Sequence, residues 1–154
     1  MNVAFVDERD DPAPLPDLEP LAALVLAGEG VPPGAEVAVT FVDPEEMAGL
    51  NDEHLGTPGP TDVLSFPLED LAPGVPPVAD PGGPPVTLGD IVICPAYVRS
   101  VVGWDEDGYC DELALMVVHG LLHLLGYDHV DDAEAELMEA RERHYLAQVG
   151  RRRR

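Results

Sequence analysis

A chain of 154 residues with 45% hydrophobic side chains can bury one sizeable core and is short for two. Its formal net charge is −22, it has no lysine, and four of its eight arginines are the last four residues, which excludes the broad basic surface of a free nucleic-acid binder. No stretch reads as a signal peptide or membrane span, because MNVAFVDERDD is a short apolar run followed by acids, so the expected address is the cytoplasm.

Residues 3–6 read as a short strand, and Asp17 can cap a helix whose apolar face includes Leu18, Leu21, Leu24 and Val25. Pro32, Pro33 and Gly34 break the chain before residues 36–42 alternate in strand fashion. Asp43-Pro44-Glu45-Glu46 predicts a helix start with a capping side chain, proline in the first turn and acids at the positive end of the dipole. That helix fades near Leu55 into a loop containing Gly56, Pro58, Gly59 and Pro60. Residues 61–66 read as a strand. Residues 68–87 are rich in proline and glycine and read as an irregular surface loop. Residues 88–94 read as a buried strand, a short helix follows Pro95, and residues 103–108 are acidic and turn-like. Residues 111–125 are apolar on nearly every face and predict a central, buried helix ended by Gly126. Asp131 and Glu134 form a capping pair for a last helix running to about Gln148. This order predicts an α+β fold, a small sheet covered by helices, in one domain over residues 1–150. The basic tail 151–154 reads as a solvated terminus or an RNA anchor. Cys94 and Cys110 form no CxxC motif and read as reduced, packed thiols.

The chemistry concentrates in His119-Gly120-Leu121-Leu122-His123-Leu124-Leu125-Gly126-Tyr127-Asp128-His129. His119 and His123 are four apart and project from one helix face. A glycine at 126 can fold the chain back and bring His129 to the same point. Three imidazoles around one point are the ligand set of an open zinc site with a fourth position for water or substrate. Nickel and copper also accept imidazole. A lone histidine on an apolar helix is usually a satisfied core residue, but burying several unpaired imidazoles would cost about 1–3 kcal/mol each. His54 and His144 stand outside the motif.

The spacing HxxxHxxGxxH matches one group of metalloproteases, whose glutamate general base directly follows the first histidine. Gly120 stands there in this chain, so peptide hydrolysis by that route is disfavoured. Beyond spacing, HGLLHLLGYDH at 119–129 resembles the signature of the YbeY family of bacterial endoribonucleases, the rRNA maturation factors. Pro60 to Pro67 resembles that family's PTDVLSFP strand, and Leu88 to Cys94 its LGDIVI strand. The resemblance implies a mostly parallel, mixed four-stranded sheet with helices, the central buried one carrying metal ligands. It implies one Zn2+ held by His119, His123 and His129. It also implies cleavage of single-stranded RNA, 3′-end maturation of small-subunit rRNA and a part in ribosome quality control, with the ribosomal small subunit and protein partners delivering substrate. The family often has an arginine where this chain has Leu55; Arg99 is a remote substitute. Asp128 is a candidate base or a turn stabiliser. Ser65 and Thr61 are candidate substrate contacts or packed hydroxyls, and Tyr127 belongs to the core. No general base is assigned. A metalloprotease-like hydrolase and a non-catalytic, zinc-stabilised ribosome assembly factor are the alternatives.

Overall fold

A computed structural model describes residues 2–56 and 61–154; the side chains of Asn2 and Leu55 also lie outside the described residues. The reading of Leu55 in place of an arginine, and of the loop residues Pro58, Gly59 and Pro60, therefore falls outside them. In chain order the elements are β1 (Asn2–Asp7), α1 (Glu19–Gly28), β2 (Glu36–Phe41), α2 (Pro44–Leu55), β3 (Val63–Pro67), β4 (Thr87–Ile93), α3 (Pro95–Val102), α4 (Glu106–Leu124) and α5 (Asp132–Gln148). The sheet order is β1-β2-β4-β3. β1 and β4 run parallel to β2, and only β3 is antiparallel, paired to β4. This is the α+β fold with a mostly parallel, mixed four-stranded sheet that the sequence led us to expect.

Strand periodicity divides the core between the two faces of the sheet. Val37, Val39 and Phe41 of β2 and Ile91 and Ile93 of β4 join the main cluster with α1, α4 and α5. Val92 and Leu64, register partners across β4 and β3, turn to the other face and meet Met47 of α2. Helix α4 is the centre of the main cluster: Leu113, Val117, Val118, Leu121, Leu122 and Leu124 have no solvent exposure. Each such side chain contributes roughly 1.5–3 kcal/mol by leaving water. That burial, set against weak caps, holds the helix in place.

Several local expectations are corrected. Helix α4 begins at Glu106, so residues 106–108 are its first turn and not part of a loop. The acids Glu106 and Asp107 that suggested a turn sit at the positive end of the dipole, where they favour helix. Asp43 occupies the N-cap position of α2 but makes no cap; its Oδ2 accepts the Asp10 N–H at 2.8 Å and ties down the segment after β1. For α1 the N-cap residue is Leu18, and Asp17 accepts the Glu19 N–H at 3.2 Å from one position earlier. Asp131 caps α5 as expected, accepting the Glu134 N–H at 2.8 Å.

Residues 151–154 fold back on the body. Arg154 Nε donates to Asp111 Oδ2 at 2.9 Å, Arg151 lies 3.5 Å from Asp111 Oδ1, and Arg153 sits between Glu139 and Glu142. Asp111, buried in α4, is thereby charge-compensated. Among the described residues, no helix is long and apolar enough to cross a membrane.

Candidate metal centre

Helix α4 carries His119 and His123 one turn apart near its C-terminal end. The helix then closes in a Schellman arrangement: Gly126 N–H donates to the His123 carbonyl at 3.1 Å and Tyr127 N–H to the Leu122 carbonyl at 3.0 Å. Gly126 has φ +96°, and a Cβ there would run into the Leu71 carbonyl of the 68–87 loop. Only glycine allows this reversal, and the reversal carries His129 back beside the helix.

One nitrogen from each of His119, His123 and His129 lies within 4.8 Å of the other two. Ring centroids are 4.5 Å (119–123), 5.1 Å (123–129) and 5.5 Å (119–129) apart. His123 Nδ1 faces the Tyr127 carbonyl at 2.9 Å, an acceptor only, so Nδ1 is the protonated nitrogen. His119 Nδ1 faces Glu142 Oε2 at 3.3 Å, which favours the same tautomer. The two Nε2 atoms then present lone pairs to each other at 3.0 Å. A cation shared with His129 would take up both lone pairs. Four-coordinate zinc with bonds of about 2.0–2.1 Å would set its nitrogen ligands roughly 3.3 Å apart, close to this spacing. Burial, then the neighbouring His119 and His129 rings, hold His123 below the usual imidazole range, in the neutral form a ligand needs. The residues present fit a divalent cation.

The triad opens into a cleft of about 600 Å³ between α4, β3 and the start of the 68–87 loop. Its polar rim is acidic, with Asp62, Glu69, Asp70 and Asp128. Ser65 of β3 also lines it, its hydroxyl donating to the Gly120 carbonyl at 3.4 Å. Asp128 Oδ1 accepts the His129 N–H at 2.8 Å and so shapes the turn. Gly120 has no room for a side chain: a Cβ would lie 2.8 Å from Ile91 Cγ2.

Other candidates fall elsewhere. Thr61 bonds Asp62 at 3.3 Å and does not line the cleft. Arg99 donates to Gly103 and Glu106 and lies 3.7 Å over the Tyr109 ring, tying α3 to α4 away from the cleft. His54 packs on Phe66, and His144 is exposed and paired with Gln148. Tyr127 is in the core, as expected. Sequence reasoning missed the buried Glu142 and the half-buried Glu29. Glu142 meets His119, and Glu29 accepts the Tyr127 hydroxyl at 2.6 Å while also bonding Tyr145 and Arg141. Burial opposes charge on Glu29, but the hydrogen bonds from Tyr127, Tyr145 and Arg141 outweigh it and hold its carboxyl below the usual range. Burial and that same carboxylate push the Tyr127 hydroxyl up to about 12.

Residues 15–150 match the family described as Endoribonuclease YbeY. A relative of that description from Acidothermus cellulolyticus is 47% identical over 119 residues, covering 76% of this chain and 73% of the relative. Another from Micrococcus luteus is 43% identical over 138 residues, covering 90% and 85%. The fold is similar to the solution structure of a Thermotoga maritima protein, with a TM-score of 0.64 and 28% identity over 96% of this chain and 88% of that one.

Proposed function

Because the chain belongs to the Endoribonuclease YbeY family, we propose that it is a zinc-dependent, single-strand-specific endoribonuclease that matures the 3′ end of small-subunit rRNA and serves ribosome quality control. The single observation that carries the metal part is the convergence of His119, His123 and His129 within 4.8 Å. Zinc suits an all-imidazole set with an open position better than magnesium or calcium, which prefer oxygen. A bound zinc supplies Lewis-acid stabilisation of charge developing on a phosphate oxygen or on the attacking water.

The chain's own groups do the rest. His119, His123 and His129 would hold the ion. The Tyr127 carbonyl fixes the His123 ring. Ser65 of β3 lines the cleft beside the triad, where a single strand of RNA could lie along β3. Asp128 stabilises the turn that carries His129. Residues 1–150 act as one hydrolase domain. The acidic rim disfavours capture of RNA by charge alone, which supports delivery by the ribosomal small subunit and protein partners. Free Cys94 and Cys110 suit a reducing cytoplasm.

The metalloprotease alternative loses its support at Gly120, which has no side chain to act as the base and where a Cβ would crowd Ile91. A zinc-stabilised assembly factor without catalysis gains from the leucine at position 55. Incubation of zinc-loaded protein with single-stranded rRNA fragments and with casein separates the readings. Cleaved RNA, intact casein, and loss of RNA turnover in His119→Ala and His123→Ala are expected. Turnover that survives both substitutions would overturn the nuclease assignment, and intact RNA throughout would favour the assembly factor.

A further inference from the structure

We propose that Glu142 is a positioning residue for His119, and that Arg153 in the C-terminal tail holds Glu142 in place. The inference rests on the metal reading above. Glu142 lies on α5 and is only 1% exposed. Its Oε2 is 3.3 Å from His119 Nδ1, and its Oε1 is 3.5 Å from Arg153 Nε. Arg153 Nε is buried and makes no hydrogen bond among the described residues, so its interaction with Glu142 is electrostatic. A second arm of the same guanidinium reaches Glu139 at 3.3 Å.

Tail anchoring alone does not account for this arrangement. The half-exposed Glu139 already pairs with Arg153, and sinking a second carboxylate out of water is unfavourable in itself. What burial adds is direction. The carboxylate faces the ring nitrogen opposite the one that meets His123 Nε2 at 3.0 Å. A carboxylate there fixes the ring's tautomer and orientation and raises the basicity of the other nitrogen, as it does behind many metal-bound histidines. His123 obtains the same service from the Tyr127 carbonyl, which is part of the main chain. His119 obtains it from a side chain, so its support can be removed without rebuilding the backbone.

The tail therefore contributes to the metal centre from the end of α5. Arg152, one residue earlier, is exposed and serves as a control of equal charge.

The test combines two measurements on the full chain. Long-range 1H–15N NMR of metal-free protein reads which nitrogen of His119 carries the proton. Chelator competition reads zinc affinity in the unaltered protein and in Glu142→Ala, Glu142→Gln, Arg153→Gln and Arg152→Gln. The proton is expected on Nδ1. Zinc affinity is expected to fall about 10–100-fold in Glu142→Ala, less in Glu142→Gln, which keeps an acceptor oxygen, and by a smaller factor in Arg153→Gln. Arg152→Gln is expected to match the unaltered chain. A merely structural Glu142 would lower the melting temperature while leaving tautomer and affinity alone. A proton on His119 Nε2, or unchanged affinity in folded Glu142→Gln and Arg153→Gln, sinks this inference alone. If Glu142→Ala fails to fold, those two variants and the tautomer decide. No zinc binding by the unaltered protein overturns the metal reading itself, and this inference with it.

Discussion

Two glycines in the 119–129 segment have no room for a side chain, for different reasons. At Gly120 the obstacle is Ile91 of β4, which a Cβ would meet at 2.8 Å. Gly120→Glu, the change that would install a protease-like base, is expected to destabilise the fold by about 1–3 kcal/mol and to yield no casein hydrolysis. Urea denaturation of metal-free protein measures the first and a casein assay the second. At Gly126 the obstacle is the backbone itself, with φ +96° and the Leu71 carbonyl behind it. Gly126→Ala is expected to cost about 1–3 kcal/mol and to weaken zinc binding by moving His129, which calorimetric titration would detect. Glu29 gives a pH signature away from the metal. Its folded carboxyl titrates below the ordinary value, so its stabilisation is present above the unfolded value of about 4.3 and is lost as pH falls through the folded one. The melting-temperature gap between the unaltered chain and Glu29→Gln is therefore expected to be widest near neutrality and to close in acid. A gap independent of pH would mean that the Glu29 charge contributes nothing.

Among the elements, α4 and its closing turn illustrate what sequence makes visible. Helix pitch places His119 and His123 on one face, and a glycine in the next turn reverses the chain, so the cluster is written within one contiguous stretch. Strand assignments were also legible, because alternation and breakers mark them; β3 shifted only to Val63–Pro67. Burial of residues 111–125 followed from their uniform apolarity. Less legible were the ends. The acids at 105–107 read as a turn because composition does not separate a loop from a helix's first turn. Asp43 was expected to cap α2, yet the Asp10 N–H takes its carboxylate. Partnerships between distant segments left no mark at all: Glu142 is 23 residues from His119, and Glu29 is 98 from Tyr127. Helix α5 depends on its cap, since Asp131 alone receives the Glu134 N–H. Asp131→Ala is expected to cost about 1 kcal/mol in thermal unfolding.

For the whole molecule, the question is how a chain of net charge −22 acts on a polyanion. Apart from the exposed Arg152, its few arginines pair with its own acids: Arg9 with Asp7 and Asp11, Arg99 with Glu106, Arg141 with Glu29, Arg143 with Glu139, and Arg151, Arg153 and Arg154 with the acids of α4, α5 and Asp105. Spent in this way they hold the fold against self-repulsion and leave little to neutralise phosphate. Two salt effects with different signs follow. Thermal stability is expected to rise with salt, because screening weakens repulsion among the unpaired acids more than it weakens the buried pairs. Affinity for single-stranded RNA is expected to be weak and to depend only shallowly on salt, because each phosphate neutralised by a basic group would add about 0.7 to the negative slope of log affinity against log salt. Binding titrations across a salt series, with zinc present and completed before turnover, give that slope. A steep slope would reveal a basic surface released from its ion pairs by RNA. A shallow one would support the proposed metal centre and the proposed delivery by the small subunit and protein partners as what brings substrate into the cleft.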